Sequence, residues 1–252
     1  MKRYIKNMLL ASAAVMTLCG LSACIDETVP TDEATPATIK TDSKSLSYLA
    51  NSLPSFLTTW NTYNSGDYTQ DWGYPCQMYM RDLLCADFPQ SDNSFNYWDY
   101  IEDGSSLRYA YYYTFYYYYV FIKNANGVIS VGKDAVDGGN EAAKKYLGQG
   151  YGYRAMLYLD LERLFEYKKT GVSYLDKQAD SIGCMGITIP IVTEKTSKVE
   201  LKNNPCAPFY TMNRFIMTDL NRAEENLAGY NREHKAFMDQ SVIYGLGKKL
   251  YS

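Results

Sequence analysis

Between Arg81 and Tyr100 the chain gathers Arg81, Asp87, Asn93, Asn96, Tyr97 and Trp98. These are the side chains that recognise a sugar ring: an aromatic face takes the apolar C–H side, and planar Arg, Asn and Asp groups take the hydroxyls. The competing reading of Trp98 is structural, a ring packed beneath its own loop. Asp71, Trp72 and Tyr74 form a second, smaller group of the same kind. Residues that would break bonds are scarcer. The one histidine, His234 in NREHKAF, falls between two expected helices and reads as solvated. A Ser-His-Asp triad would need it, and no GxSxG accompanies it. There is no GxxxxGKS/T or GxGxxG, so no motif asks for a nucleotide cofactor. A glycosidase needs only two carboxylates; the chain has 28 acidic residues, but no spacing singles out a pair.

The elements that must position these groups read as helices. Ser45–Tyr63 carries Leu46, Leu49, Leu53, Phe56, Leu57 and Trp60 at helical spacing, with Pro54 as a break or kink. Pro75–Phe88 reads as a helix with Met78, Leu84 and Cys85 inward, and Pro89–Ser106 as the loop holding most of the sugar-type residues. The stretch YAYYYTFYYYYVFIKNAN, Tyr109–Asn126, is too long for one strand and lacks Gly and Pro, so a helix is expected. Tyr112, Phe115, Tyr116, Tyr119, Ile122 and Asn126 are placed on one face, and most of the tyrosines in the core. Lys133–Asn140 reads as a turn. Glu141–Phe165 is a helix with Leu147, Arg154, Leu157, Tyr158, Leu161, Leu164 and Phe165 as its stripe. Its Gly148, Gly150 and Gly152 imply a close neighbour, since each costs about 1 kcal/mol against Ala. Lys168–Pro208 is a connector with an extended segment at Gly186–Val192. Pro208–Leu227 is a helix with Met212, Phe215, Ile216, Leu220, Ala223 and Leu227 inward, ended by Gly229. A last helix spans Lys235–Tyr251, with Phe237, Ser241, Tyr244 and Tyr251 on one side and close approach expected at Gly245 and Gly247. The fold class is all-α, in tetratricopeptide-like helix pairs with long irregular loops, though no strict repeat is legible.

The amino terminus has its own logic. Residues 1–23 run from Lys2, Arg3 and Lys6 through an apolar stretch to small residues, the pattern of a secretory signal peptide too short to span a membrane. Leu21–Ser22–Ala23–Cys24 then resembles a lipobox, with Cys24 the lipid-bearing first mature residue. Asp26 and Glu27 follow, resembling the surface-export signal of Bacteroidetes lipoproteins, and residues 24–44 form a lipidated tether rich in Thr, Pro and Asp. Removing residues 1–23 takes away three basic and no acidic residues and moves the formal charge from −3 to −6, which excludes a nucleic-acid partner. Cys76, Cys85, Cys184 and Cys206 remain without a CxxC, so no zinc or other metal site is expected. An exported chain permits disulfides; Cys76–Cys85 and Cys184–Cys206 are the pairs nearest in sequence, and the connectivity stays open.

Six segments in order carry a family resemblance: the lipobox at Cys24, then DWGYPCQMYMRDLL, YYVFIKNANGVI, GQGYGYRAMLYLDLERLF, GITIPIV and FIMTDLNRAEENL. The runs Arg154-Ala155-x-x-Tyr158-x-x-Leu161 and Asp219-Leu220-x-x-Ala223-x-x-x-Leu227 are the most characteristic. Together they resemble the amino-terminal half of the SusD/RagB family of outer-membrane nutrient-binding lipoproteins. The resemblance implies a tetratricopeptide-like domain over residues 45–252 and an anchor facing the cell exterior. It implies a SusC-like TonB-dependent outer-membrane transporter as partner, an oligosaccharide or polysaccharide as ligand, and no enzymatic activity. It matches Arg81 and Trp98 to the family's glycan-contacting Arg and Trp. Family members are longer, and the chain stops at GLGKKLYS inside an expected helix, where a solenoid would need a cap. A non-binding interaction module of the same family and a carboxylate-dependent glycosidase are the alternative readings.

Overall fold

The computed structural model describes residues 43–58, 73–84 and 107–250. Helix α1, Ser43–Ser55, buries Leu46, Ala50 and Leu53, one stripe at helical spacing. Of the break or kink allowed at Pro54, the chain takes the break: Pro54 lies in the last turn, and the Ser52 and Ser55 hydroxyls donate to the carbonyls of Leu49 and Ser52 (2.7 and 2.6 Å). The helical reading to Tyr63 therefore runs too long at least through the turn at residues 56–58, and the rest of it lies outside the described residues. Helix α2, Tyr74–Leu84, follows Gly73, whose φ of +65° and close approach to the Phe56 carbonyl suit only glycine. It turns Cys76, Gln77 and Met80 inward. Met78, expected inward, is exposed, because the inward stripe runs through Cys76, Gln77 and Met80, which leaves Met78 on another side of the helix.

Helix α3, Leu107–Asp137, spans the tyrosine stretch and continues through most of the expected turn at residues 133–140. The chain reverses only at Gly138–Gly139, into a 3-10 turn at Glu141–Ala143 and helix α4, Lys144–Phe165. The buried face of α3 is Tyr117, Tyr118, Phe121, Ile122, Ala125, Asn126, Val128 and Ile129. Tyr111, Tyr112, Phe115 and Tyr116 are exposed, which reverses the face assigned to Tyr112, Phe115 and Tyr116. Consecutive aromatics give no phase of their own; the aliphatic Ile122, Val128 and Ile129 further along set it.

Helix α4 lies at the centre and is buried on nearly every side, packed against α3, against α7 (Phe209–Asn226), and against α1 and α8 (Gln240–Leu250). Its glycines explain how. A Cβ on Gly150 would sit 2.8 Å from Ile129 Cγ1 of α3, and one on Gly148 2.6 Å from Leu227 Cγ beyond α7. Close approach was expected at Gly245 and Gly247 as well, but neither faces anything within 4 Å. Helix α8 buries Ile243 and Leu246 instead of the side bearing Ser241 and Tyr244, and the residues before Gln240 are not helical.

The connector between α4 and α7 holds more structure than its sequence suggests: α5 at Ser173–Ser181, β1 at Ile187–Pro190, α6 at Lys198–Lys202 and β2 at Cys206–Pro208. The strands pair antiparallel, Pro190 opposite Cys206. Ser197 and Glu200 cap α6 reciprocally. Cys184 and Cys206 are separate thiols. No described helix is long and apolar enough to cross a membrane.

Candidate functional site

The sugar-type residue that the structure places best is Arg81, in the last turn of α2. Its Nη2 donates to the Tyr118 hydroxyl of α3 and lies 3.5 Å from Asp160 Oδ2 of α4. Tyr118 and Tyr74 both donate to that same oxygen, at 3.1 and 2.7 Å. Burial and the Asp160 charge push both phenols above their usual range. Burial alone would lower the Arg81 guanidinium, but Tyr118, Asp160 and Tyr74 outweigh it and hold it up. One carboxylate thus ties three helices together and fixes the arginine in its charged form.

Two polar atoms in this cluster are left over. Gln77, one turn before Arg81 and 3% exposed, has a buried Oε1 with no hydrogen-bond partner among the described residues, and Arg81 Nε is likewise without one. Both residues line a cavity of about 30 Å³, closed by Met80, Tyr111, Thr114, Leu164 and Phe165. That volume holds one water or one hydroxyl group, not a ring. The walls supply what a ring would rest on. Tyr111 is half exposed and tilts against Phe165, their centroids 6.2 Å apart. Next to Tyr111 on α3, the rings of Tyr112 and Tyr116 lie parallel within 2° and are exposed. An unpaired buried acceptor beside an unpaired donor, at the rim of exposed aromatic rings, is an arrangement that takes a hydroxyl in and stacks the attached ring.

No family model and no curated protein matches this sequence. Solved structures do. The chain resembles a SusD-like carbohydrate binding protein from Bacteroides vulgatus ATCC 8482 with a TM-score of 0.59 and 21% identity, over 82% of this chain and 40% of that one. A SusD homolog from Bacteroides thetaiotaomicron VPI-5482 follows with a TM-score of 0.57 and 16% identity, over 86% and 38%. A SusD superfamily protein from the same organism matches with 0.54 and 13%, over 82% and 42%. The fold is SusD-like. The chain spans about two fifths of the length of these structures, with coverages of 40%, 38% and 42%.

Within this SusD-like fold the two characteristic runs meet. Arg154, 1% exposed, sends Nε and Nη2 to the two oxygens of Asp219 (2.6 and 2.9 Å), and Nη1 to Asn126 Oδ1 (2.7 Å) and Glu194 Oε2 (2.6 Å). Its guanidinium lies 5.5 Å from the Tyr151 ring centre and 5.2 Å from that of Phe215. Burial alone would lower this group, but the Asp219 and Glu194 carboxylates hold it well above its usual value. The network joins α3, α4 and α7 to the segment after β1. Asn126 Nδ2 and Tyr158 Oη also hold that segment, by donating to the Val192 carbonyl (3.1 and 3.0 Å). Nε, Nη1 and Nη2 are all engaged by protein groups, the pattern of a structural centre.

Of the residues named from sequence, Arg81 and Tyr74 converge on Asp160, although the sequence puts them in separate clusters. Asp87, Asn93, Asn96, Tyr97 and Trp98 lie outside the described residues, as do Asp71 and Trp72. Gln77, Tyr111, Thr114, Asp160 and Phe165 were missed. Gln77 had a signal: it stands four residues before Arg81 on one helix face. Asp160 had none, since nothing local distinguishes it. His234 is exposed, its Nδ1 accepting from the Ala236 main-chain N–H. No group of three metal-ligating side chains forms among the described residues.

Proposed function

We propose that this chain captures oligosaccharides without cleaving them, seating one hydroxyl between Gln77 and Arg81 and resting the ring on Tyr111 and its neighbours. The observation that carries this is the unpaired Gln77 Oε1, 3% exposed, beside the unpaired Arg81 Nε. A buried polar atom left without a partner is costly unless something arrives to satisfy it. The SusD-like fold, found also in the Bacteroides vulgatus carbohydrate binding protein, supports the same class of ligand. Asp87, Asn93, Asn96, Tyr97 and Trp98, which follow α2 in the sequence, are proposed to complete the site. The lipobox-like Leu21–Cys24 supports a lipid anchor on Cys24 at the outer membrane, and the family resemblance supports a SusC-like TonB-dependent transporter as partner.

The test is isothermal titration of the full chain carrying Cys24→Ser against plant, host and microbial glycans. Saturable binding to one glycan class is expected. Gln77→Leu should weaken it about tenfold, equivalent to one lost hydrogen bond of about 1.4 kcal/mol. The same substitution should leave the melting temperature unchanged or raised, because it removes an unsatisfied buried group. Trp98→Ala should weaken binding with no loss of melting temperature. A cooperatively folded chain that binds none of the glycans refutes the reading. Incorporation of labelled palmitate, abolished by Cys24→Ala, checks the anchor.

A further inference from the structure

On another part of the molecule, Ser47 and Asn51 of α1, Lys145 and Tyr146 in the first turn of α4, and Tyr230 and Phe237 after α7 enclose a cleft of about 160 Å³. Lys145 and Tyr230 also line a neighbouring groove of about 520 Å³ bordered by Lys144, Glu225 and Asn226. The floor is rigid. Gln149, 2% exposed, donates from Nε2 to the Met238 carbonyl (2.6 Å) and accepts from its N–H (2.9 Å), and the Tyr153 hydroxyl donates to the Ala236 carbonyl. The segment that presents Phe237 is therefore pinned to the central helix on both sides. Tyr146, Tyr230 and Phe237 are half-buried, showing ring surface to the cleft, and Lys145 Nζ lies 4.9 Å from the Tyr146 ring centre. The Ser47 hydroxyl and Asn51 amide make no hydrogen bond among the described residues. Charge around the cleft is mixed, Lys144 and Lys145 against Glu225 and Glu233, so it favours neither an anion nor a cation.

We infer that this cleft is a second carbohydrate subsite, taking one neutral pyranose against Tyr146, Tyr230 and Phe237, with Asn51 and Ser47 on its hydroxyls and the neighbouring sugars along the open groove. The aromatic walls match the apolar faces of a ring, the amide and hydroxyl match its edge, and the pinned floor spares the ordering cost of closing on it. The class of ligand rests on the proposed function, but the site is separate from the Gln77–Arg81 cavity and shares no residue with it.

The test is calorimetric titration of the full chain carrying Cys24→Ser with cellohexaose, xylohexaose, mannohexaose, maltohexaose and chitohexaose as probes. Two binding events are expected for at least one probe. Tyr230→Ala and Asn51→Ala should each weaken one event about tenfold and leave the Gln77-dependent event unchanged. Asn51 is exposed, so its variant keeps the fold intact if Tyr230→Ala does not. Binding that responds to the cleft variants and not to Gln77→Leu supports the cleft alone. A single event removed by Gln77→Leu and unmoved by both cleft variants overturns this inference and leaves the first site standing. A folded chain that binds no probe overturns both.

Discussion

Arg154 and Glu162 show how differently two buried charges behave on one helix. Arg154 faces Asp219 with two nitrogens of its guanidinium and lies close to the Tyr151 and Phe215 rings. Replacing Asp219 with Ala strands a buried guanidinium and should cost about 3–5 kcal/mol, read from the urea midpoint. Arg154→Lys should cost nearly as much, since an ammonium cannot hold the fork to Asp219 and reach Asn126 and Glu194 as well. A cost below about 1 kcal/mol for either would show that the network relaxes into water. Glu162 is buried with one good donor, the Asn213 amide at 2.5 Å. Burial, and then the nearby Glu166 charge, push its carboxyl up to about 7. The folded chain thus holds a proton that the unfolded chain gives up at ordinary carboxylate pH. Its contribution to stability is greatest below the unfolded value and is lost as pH rises through 7. Glu162→Gln keeps the hydrogen bond and should stabilise the fold on the order of 1 kcal/mol at pH 8, with no gain at pH 4. Equal effects at both pH values would assign Glu162 no titration in this range.

At the scale of elements, α3 and α4 repay comparison. Both were legible as helices, and both kept something back. In α4 the glycines predicted a close neighbour, and Ile129, Leu227 and Met238 supply it. Gly150→Ala should therefore lower the melting temperature, at a cost of about 1–3 kcal/mol, because Ile129 cannot retreat from its own helix. Gly245→Ala on α8, where the added methyl meets nothing, should instead stabilise by up to about 1 kcal/mol through helix propensity. Thermal denaturation of the two single variants decides between close packing and tolerance at each position. In α3 the opening tyrosines were expected mostly in the core. The structure divides them: Tyr117 and Tyr118 are buried, with hydroxyls on the Phe56 carbonyl and Asp160, while Tyr111, Tyr112 and Tyr116 stay outside. The period was readable but the phase was not, since a run of identical side chains has no apolar stripe to orient it.

For the whole molecule, the helices pack as a SusD-like fold in which α2, α3 and α4 share one carboxylate and leave Gln77 and Arg81 incompletely satisfied. The glycan titrations and the palmitate labelling act at this scale, because the proposed function joins a binding site to an anchor elsewhere in the chain. Arg81 was legible as a binding candidate from residue type alone. Its partners were not, because Asp160 lies 79 positions further along the chain and nothing near it in sequence marks it. The connector's short helices and the pairing partner of its strand were also hidden, although the extended segment at Gly186–Val192 was legible and holds β1. α6 has only five residues and no buried side chain, so no periodic pattern announces it.

The all-α class, the order of the main helices, the close neighbour at the glycines of α4 and the inward face of α7 could all be read from the residues alone, because helical periodicity and glycine placement are local properties. Helix packing was needed to fix which face of α3 meets the core, that Arg154 and Asp219 form one buried pair, and that Tyr74, Arg81 and Tyr118 converge on Asp160. Those facts depend on which helices lie side by side, and a side chain's partner across a helix interface leaves no mark on its own neighbours in the chain.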